Sequence, residues 1–205
     1  MTIDDRICDL MAELSRVLNS LIPPVRPQLR PSAGSDQIRQ AEDKLGLCFP
    51  EELRALLTCH NGQLSYTARD YADPIIPSLR QPTGLHSYYW LAGIDEIVEN
   101  TLHLRAEFAE CWKDEEFTVI GPTRNHGRFV VFTVTENADW LVLDMDPDPD
   151  SDGKVGQVVM QCTQPCELIV IADGVASFLQ LLLDGYKSGR FKFESDQHFV
   201  MYGEV

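Results

Sequence analysis

The chain has 205 residues, 44% of them hydrophobic and 24% charged, which is enough apolar material for one substantial core. Its 32 acidic residues against 17 basic ones give a formal net charge of −15 and a pI near 4.6. That balance argues against nucleic acid as a partner, because phosphate contacts draw on Lys and Arg, and favours a basic protein that the field of the chain would steer.

The opening stretch, MTIDDRICDLMAEL, lacks the basic segment and apolar run of a secretory leader. No run approaches the roughly 18 apolar residues of a membrane span. The expectation is a cytoplasmic protein with no membrane contact. Cys8, Cys48, Cys59, Cys111, Cys162 and Cys166 are scattered and form no CxxC pair. They are expected to be reduced thiols, since the spacing Cys162…Cys166 without further Cys or His is a weak metal signal.

Residues 3–21 carry Ile3, Ile7, Leu10, Met11, Leu14, Val17, Leu18 and Leu21 on one helical stripe. LIPPVRPQLRPSAGS (21–35) breaks that helix with Pro23, Pro24, Pro27 and Pro31, and reads as an extended connector. The first helix is therefore expected to be an appended element that docks on the main body. Ser35 or Asp36 can cap a second helix that runs through Ile38, Ala41 and Leu45 to Gly46. Pro50 opens a third, with Glu51 and Glu52 at its positive end, Leu53, Leu56 and Leu57 buried, and Asn61-Gly62 as the stop. Residues 63–87, with Pro74, Pro77 and Pro82, read as a long loop.

Tyr88, Tyr89 and Trp90 open a short aromatic strand read mainly as core. A helix follows with Ile94, Ile97, Val98, Leu102 and Phe108 inward. Apolar runs at 117–120, 128–134, 140–145, 156–162 and 167–172 suit a largely antiparallel sheet, with Trp140 in the core. Asp173 can cap a last helix through Val175, Phe178, Leu179, Leu182, Leu183 and Tyr186, ended by Gly189. The tail, 190–205, has room for a short extra strand.

The stretch 38–62, with Ile38, Glu42, Leu45-Gly46, Pro50 and Asn61-Gly62, resembles the N-terminal signature of the SMI1/KNR4, or SUKH, superfamily. DMDPDPDSDGKVGQVV is similar to the hairpin of that family, carried by Asp144, Asp146, Pro147, Gly153, Gly156, Gln157 and Val158, and 175–189 resembles its closing helix. The family's tryptophan-proline element has only Gly121-Pro122 as a counterpart, and 1–34 lies outside the usual core. The resemblance implies an α+β fold with a mostly antiparallel central sheet flanked by N-terminal helices and a C-terminal helix. The organisation expected is a helix and Pro-rich connector over 1–34, then one globular unit over 35–205. It also implies protein binding. Many bacterial members are immunity proteins that neutralise polymorphic toxins, and fungal members are regulators of cell-wall synthesis and signalling.

Asp144, Asp146, Asp148, Asp150 and Asp152 fall on alternate positions and end at Gly153. Asp148-x-Asp150-x-Asp152-Gly153 imitates the opening of an EF-hand, but the twelfth position is Val159 instead of Glu, and a strand pattern follows. A solvated hairpin tip explains the position of the run through Pro147, Pro149 and Asp152-Gly153. It does not explain why 136–152 hold seven acids and no Lys or Arg. The five aspartates, with Glu96 and Glu99 from the acidic helix, are the candidate partner-binding residues. That helix also carries Asp95, Glu107 and Glu110, and the acids continue through Asp114, Glu115 and Glu116.

Nucleophile-elbow, phosphate-loop, dinucleotide and zinc-protease motifs are all missing, and the five histidines are dispersed. No catalytic residue, metal ligand or cofactor is assigned. The function expected is an immunity protein that occludes the active site of a cognate toxin with a basic surface. The alternative is a regulatory scaffold of the fungal type that binds cellular enzymes.

Overall fold

The computed structural model describes residues 1–21, 24, 26–64, 74–80, 86–111, 126–135, 139–162, 167–194 and 199–201. The expected strand at 117–120, Gly121-Pro122, Asp114, Glu115, Glu116, Glu136 and Cys166 lie outside these residues. Five helices are described: α1 (Ile3–Ser20), α2 (Ser35–Leu45), α3 (Glu51–Cys59), α4 (Ile94–Cys111) and α5 (Val175–Lys187). One antiparallel sheet has the order β1 (Ile76–Arg80), β2 (His86–Leu91), β4 (Thr133–Thr135). A second has the order β3 (Phe129–Val131), β5 (Trp140–Asp144), β6 (Gln157–Cys162), β7 (Glu167–Ala172). A terminal hairpin, β8 (Lys192–Glu194) with β9 (Phe199–Met201), occupies the tail where one extra strand is expected. The fold is α+β, as the resemblance implies.

The apolar run at 128–134 divides at Phe132 between the two sheets. The Phe132 N–H donates to Leu141 O at 3.4 Å, and its carbonyl accepts from Ala92 N at 3.1 Å, so one residue joins strands of both. Strands β3, β5 and β6 of the larger sheet are buried on both faces, while β7 leaves Val170 exposed. Val130, Leu141, Leu143, Val158 and Met160 belong to the main core, while Phe129, Val131, Val142, Val159 and Leu168 pack with Leu104 and Phe108 of α4. Burial of both faces is why these strands read as continuous apolar runs without alternation.

α1 lays Ile7, Leu10, Met11, Leu14 and Leu18 into the main core against α3 and α5. Its N-terminus is closed by a reciprocal cap: Thr2 Oγ1 accepts from Asp5 N at 3.1 Å, and Asp5 Oδ2 accepts from Thr2 N at 3.0 Å. Hydrogen bonding to the Asp5 carboxyl from the Thr2 backbone N–H first, and from the Thr2 side chain second, holds it below its usual range. Cys8 of α1 and Cys59 of α3 are joined in a disulfide. The expectation of six reduced thiols therefore fails at this pair. Spacing in sequence does not reveal that the two helices lie side by side with these Cα atoms 5.8 Å apart.

The loop expected over 63–87 contains β1 and the start of β2. Pro77 lies inside β1, which is tolerated because β1 is the outer strand of its described sheet and its register slips between Ile76 and Leu79. Two helix caps differ from expectation. Gly34, with Gln37 Oε1 accepting from its N–H at 2.8 Å, takes the place of Ser35 or Asp36 before α2. Gly174 takes the place of Asp173 before α5, and the acceptor comes from α3: Glu52 Oε2 receives Ala176 N at 2.9 Å. Within α4, Leu102 is exposed, while Leu104 and Thr101 are buried. Thr101 Oγ1 accepts Val131 N at 3.0 Å and ties α4 to the sheet. Tyr89 and Trp90 are core residues, and Trp140 is half-buried against the smaller cluster.

The segment after α3 is a crossing point. Gly62 has φ +76°, and a Cβ there would lie 2.4 Å from Gly93 N and 2.5 Å from Ala92 C. Around it Arg30 N donates to Gly62 O, Asn61 N to Pro31 O, and Gln63 N to Leu91 O, at 2.9, 3.0 and 2.8 Å. Gly62→Ala is expected to destabilise the fold by about 2–4 kcal/mol, from the left-handed backbone and the clash with main chain, read as a lower urea midpoint. Glu52→Ala is expected to cost about 1–2 kcal/mol by removing the α5 cap, with hydrogen-exchange protection falling first at 175–178.

Candidate functional site

The aspartate run sits on the hairpin between β5 and β6, and the structure divides it into two kinds of residue. Asp144, the last residue of β5, has no solvent exposure. Its Oδ1 accepts Asp146 N at 3.0 Å, its Oδ2 accepts Gln157 Nε2 at 3.1 Å, and its carbonyl accepts Gly156 N at 2.7 Å. Gln157 is its register partner in β6 and also accepts Lys154 N through Oε1 at 3.1 Å. Asp144 is thus the staple of the hairpin base. The expectation that it docks a partner is corrected, because a carboxylate at this depth meets no other protein. Asp139, another of the seven acids, is buried as well.

Beyond this base the chain turns on its own side chains. Asp148 Oδ1 accepts Asp150 N at 2.9 Å, Ser151 Oγ donates to Asp148 O at 2.7 Å, and Gly153 N donates to Ser151 Oγ at 3.1 Å. This is Asx and Ser turn chemistry, and it leaves the Asp150 and Asp152 side chains exposed and those of Asp146 and Asp148 half-buried. Lys154, the cation that follows, is held in an ion pair with Asp173. Asp173 joins the tip from just before α5, 19 residues on. Nothing in the local sequence signals that pairing. The chain continues into β6, not the helix that an EF-hand needs, and among the described residues no group of three or more His, Cys, Asp or Glu is placed to hold a metal ion.

The tip is mounted firmly. Gly156 has φ +85°, and a Cβ there would lie 3.1 Å from Pro50 Cγ, so the foot of the hairpin rests on the start of α3. Glu51, next to Pro50, is exposed. Most residues that carry the family resemblance turn out to be connectors of this kind. Glu42 Oε1 accepts Phe49 N at 2.6 Å and Arg54 Nε at 2.7 Å, and Gly46 ends α2 in the left-handed conformation. Asn61 Oδ1 accepts Ile94 N at 2.8 Å and caps α4.

On α4 the two acids proposed for docking differ. Glu96 receives Arg30 Nη1 and Nη2 at 2.9 and 2.6 Å, and Gly93 N at 2.6 Å. It caps its own helix and binds the connector, so this half-buried carboxylate already has structural partners within the chain. Glu99 is exposed, on a helix that packs against α2, β3 and β4. The acids gathered at the hairpin are Asp146, Asp148, Asp150 and Asp152, with Asp173 beside Lys154, and Glu99 stays exposed on α4.

Compared with known proteins, residues 32–181 match the model of the SMI1 / KNR4 family (SUKH-1). The match begins after α1 and ends within α5. No functionally curated protein matches the chain.

The division of the aspartates has a direct test. Asp144→Asn leaves one buried donor without its acceptor and is expected to cost about 1–3 kcal/mol in chemical denaturation. Asp150→Asn is expected to stay within about 0.5 kcal/mol of the parent.

Proposed function

The chain belongs to the SMI1/KNR4 (SUKH-1) family, and on that premise we propose that it is a non-catalytic immunity protein that neutralises one cognate toxin by covering its active site. The observation that carries this reading is the exposed acidic tip. Asp150 and Asp152 are exposed and Asp146 and Asp148 half-buried on a turn held by its own side chains, and the nearest cation in sequence, Lys154, is paired with Asp173. Such a cluster repels itself in the free protein, and a cationic surface relieves that repulsion. A toxin whose cleft holds nucleic acid phosphates would offer a surface of this kind. The tip would enter the cleft as a set of point charges while the body of the protein blocks access. The net charge of −15 adds long-range steering to the encounter.

Asn keeps the turn chemistry of Asp but removes its charge. The variant with Asp146, Asp148, Asp150 and Asp152 all changed to Asn is therefore expected to fold normally and to associate about tenfold more slowly at low salt. Its association rate should also depend less on ionic strength, measured by stopped flow against the partner captured from the host and released by salt. Co-expression of the parent should abolish the toxicity of that partner. Unchanged kinetics remove the tip from the interface. Capture of several endogenous enzymes, none of them toxic, replaces the immunity reading with the regulatory scaffold.

A further inference from the structure

The Cys8–Cys59 bond spans 51 residues of sequence and adds a covalent cross-link between α1 and the body to the connector that follows α1. α1 precedes the family stretch 32–181 and, among the described residues, packs on the rest of the protein mainly through one apolar stripe. Its five buried residues, Ile7, Leu10, Met11, Leu14 and Leu18, lie against α3 and α5, while Asp4, Asp5, Arg6 and Asp9 are in water. A second tie, Lys187 Nζ to Glu13 Oε1 at 2.9 Å, is a surface ion pair of little strength. Ile3 and Val17 add partly buried contacts to the same core, and these apolar anchors work against the entropy of ordering an 18-residue helix. A cross-link that confines the undocked helix shifts that balance strongly. The bond is also within reach of solvent: Cys8 is exposed, and Cys59, the last residue of α3, is half-buried.

We propose that Cys8 and Cys59 form a redox latch on α1. Oxidised, the pair locks α1 over α3 and α5. Reduced, α1 docks reversibly, and the apolar face beneath it is exposed in proportion to the time the helix spends away. The opening agent is a low-molecular-weight thiol of the glutathione class. Its thiolate attacks Sγ of the exposed Cys8, the S–S bond breaks, and Cys59 leaves as a thiolate that takes up a proton. A second thiol then attacks the mixed disulfide and releases Cys8. Two thiols lose two electrons and leave as their disulfide, and both cysteines end as thiols. Oxidation by that same disulfide runs the steps in reverse.

Hydrogen exchange on the full chain, air-oxidised and in excess dithiothreitol, tests the latch. Reduction is expected to speed exchange of the amides at 7–20 by about a hundredfold or more, with β5 and β6 unchanged. Cys8→Ser should show the fast pattern in both conditions, and the parent alone carries the comparison if that variant folds poorly. Equal protection of α1 with and without dithiothreitol overturns the proposal. Equal acceleration of α1, β5 and β6 also overturns it, because the bond is then a staple for the whole fold. Alkylation of Cys8 by iodoacetamide in the unreduced protein overturns it as well, because no bond has formed.

Discussion

The close approach of Gly62 to the main chain of Ala92 and Gly93 is the constraint on which the rest of the structure depends. It brings four pieces of chain to one place: the connector at Arg30 and Pro31, the exit of α3, the end of β2 and the start of α4. Each then supplies what another lacks. Asn61 provides the acceptor for the first turn of α4, Glu96 returns to Gly93 N, and Arg30 closes the circuit with its two bonds to Glu96. Gln63, fully buried, accepts Leu91 N and donates to Pro27 O, so no polar atom of its amide is left idle in the core. With this crossing fixed, α4 lies across the larger sheet and α3 offers Glu52 to α5.

Much of this was legible in the residues themselves. Helical stripes, the breaks at Gly46 and Asn61-Gly62, and the apolar runs of β5, β6 and β7 follow from local periodicity and turn chemistry, and these give the α+β class. What was not legible is long-range. The cap of α5 comes from Glu52, 124 residues earlier, where the local candidate Asp173 instead binds Lys154. The pairing of Cys8 with Cys59 and of Arg30 with Glu96 likewise depends on which helices become neighbours. β1 is not legible locally because Pro77 argues against a strand, and its outer position in the described sheet makes that proline acceptable.

The acidic residues show the same divide between composition and place. As a count they suggest one broad negative surface. In the structure Asp144 and Asp139 are buried, and Asp144 and Glu96 each spend their carboxylates on hydrogen bonds within the chain. The tip owes its shape to Asp148 and Ser151, and its charge to the side chains that the turn leaves over. A patch of this sort carries geometry as well as charge, because Gly156 against Pro50 fixes its direction relative to α3.

The position of α5 bears on where this protein divides. The family stretch stops at residue 181, in the middle of a helix whose Leu182, Leu183 and Tyr186 are all in the core and whose Tyr186 hydroxyl donates to Ile75 O at 3.0 Å. Burial pushes that hydroxyl far above the usual tyrosine range, a sign of how dry this end of the helix is. Where sequences align and where water is excluded are therefore different boundaries. A chain cut at the first would leave a wet apolar face on α3 and α5, and its solubility would depend on whatever covered that face next.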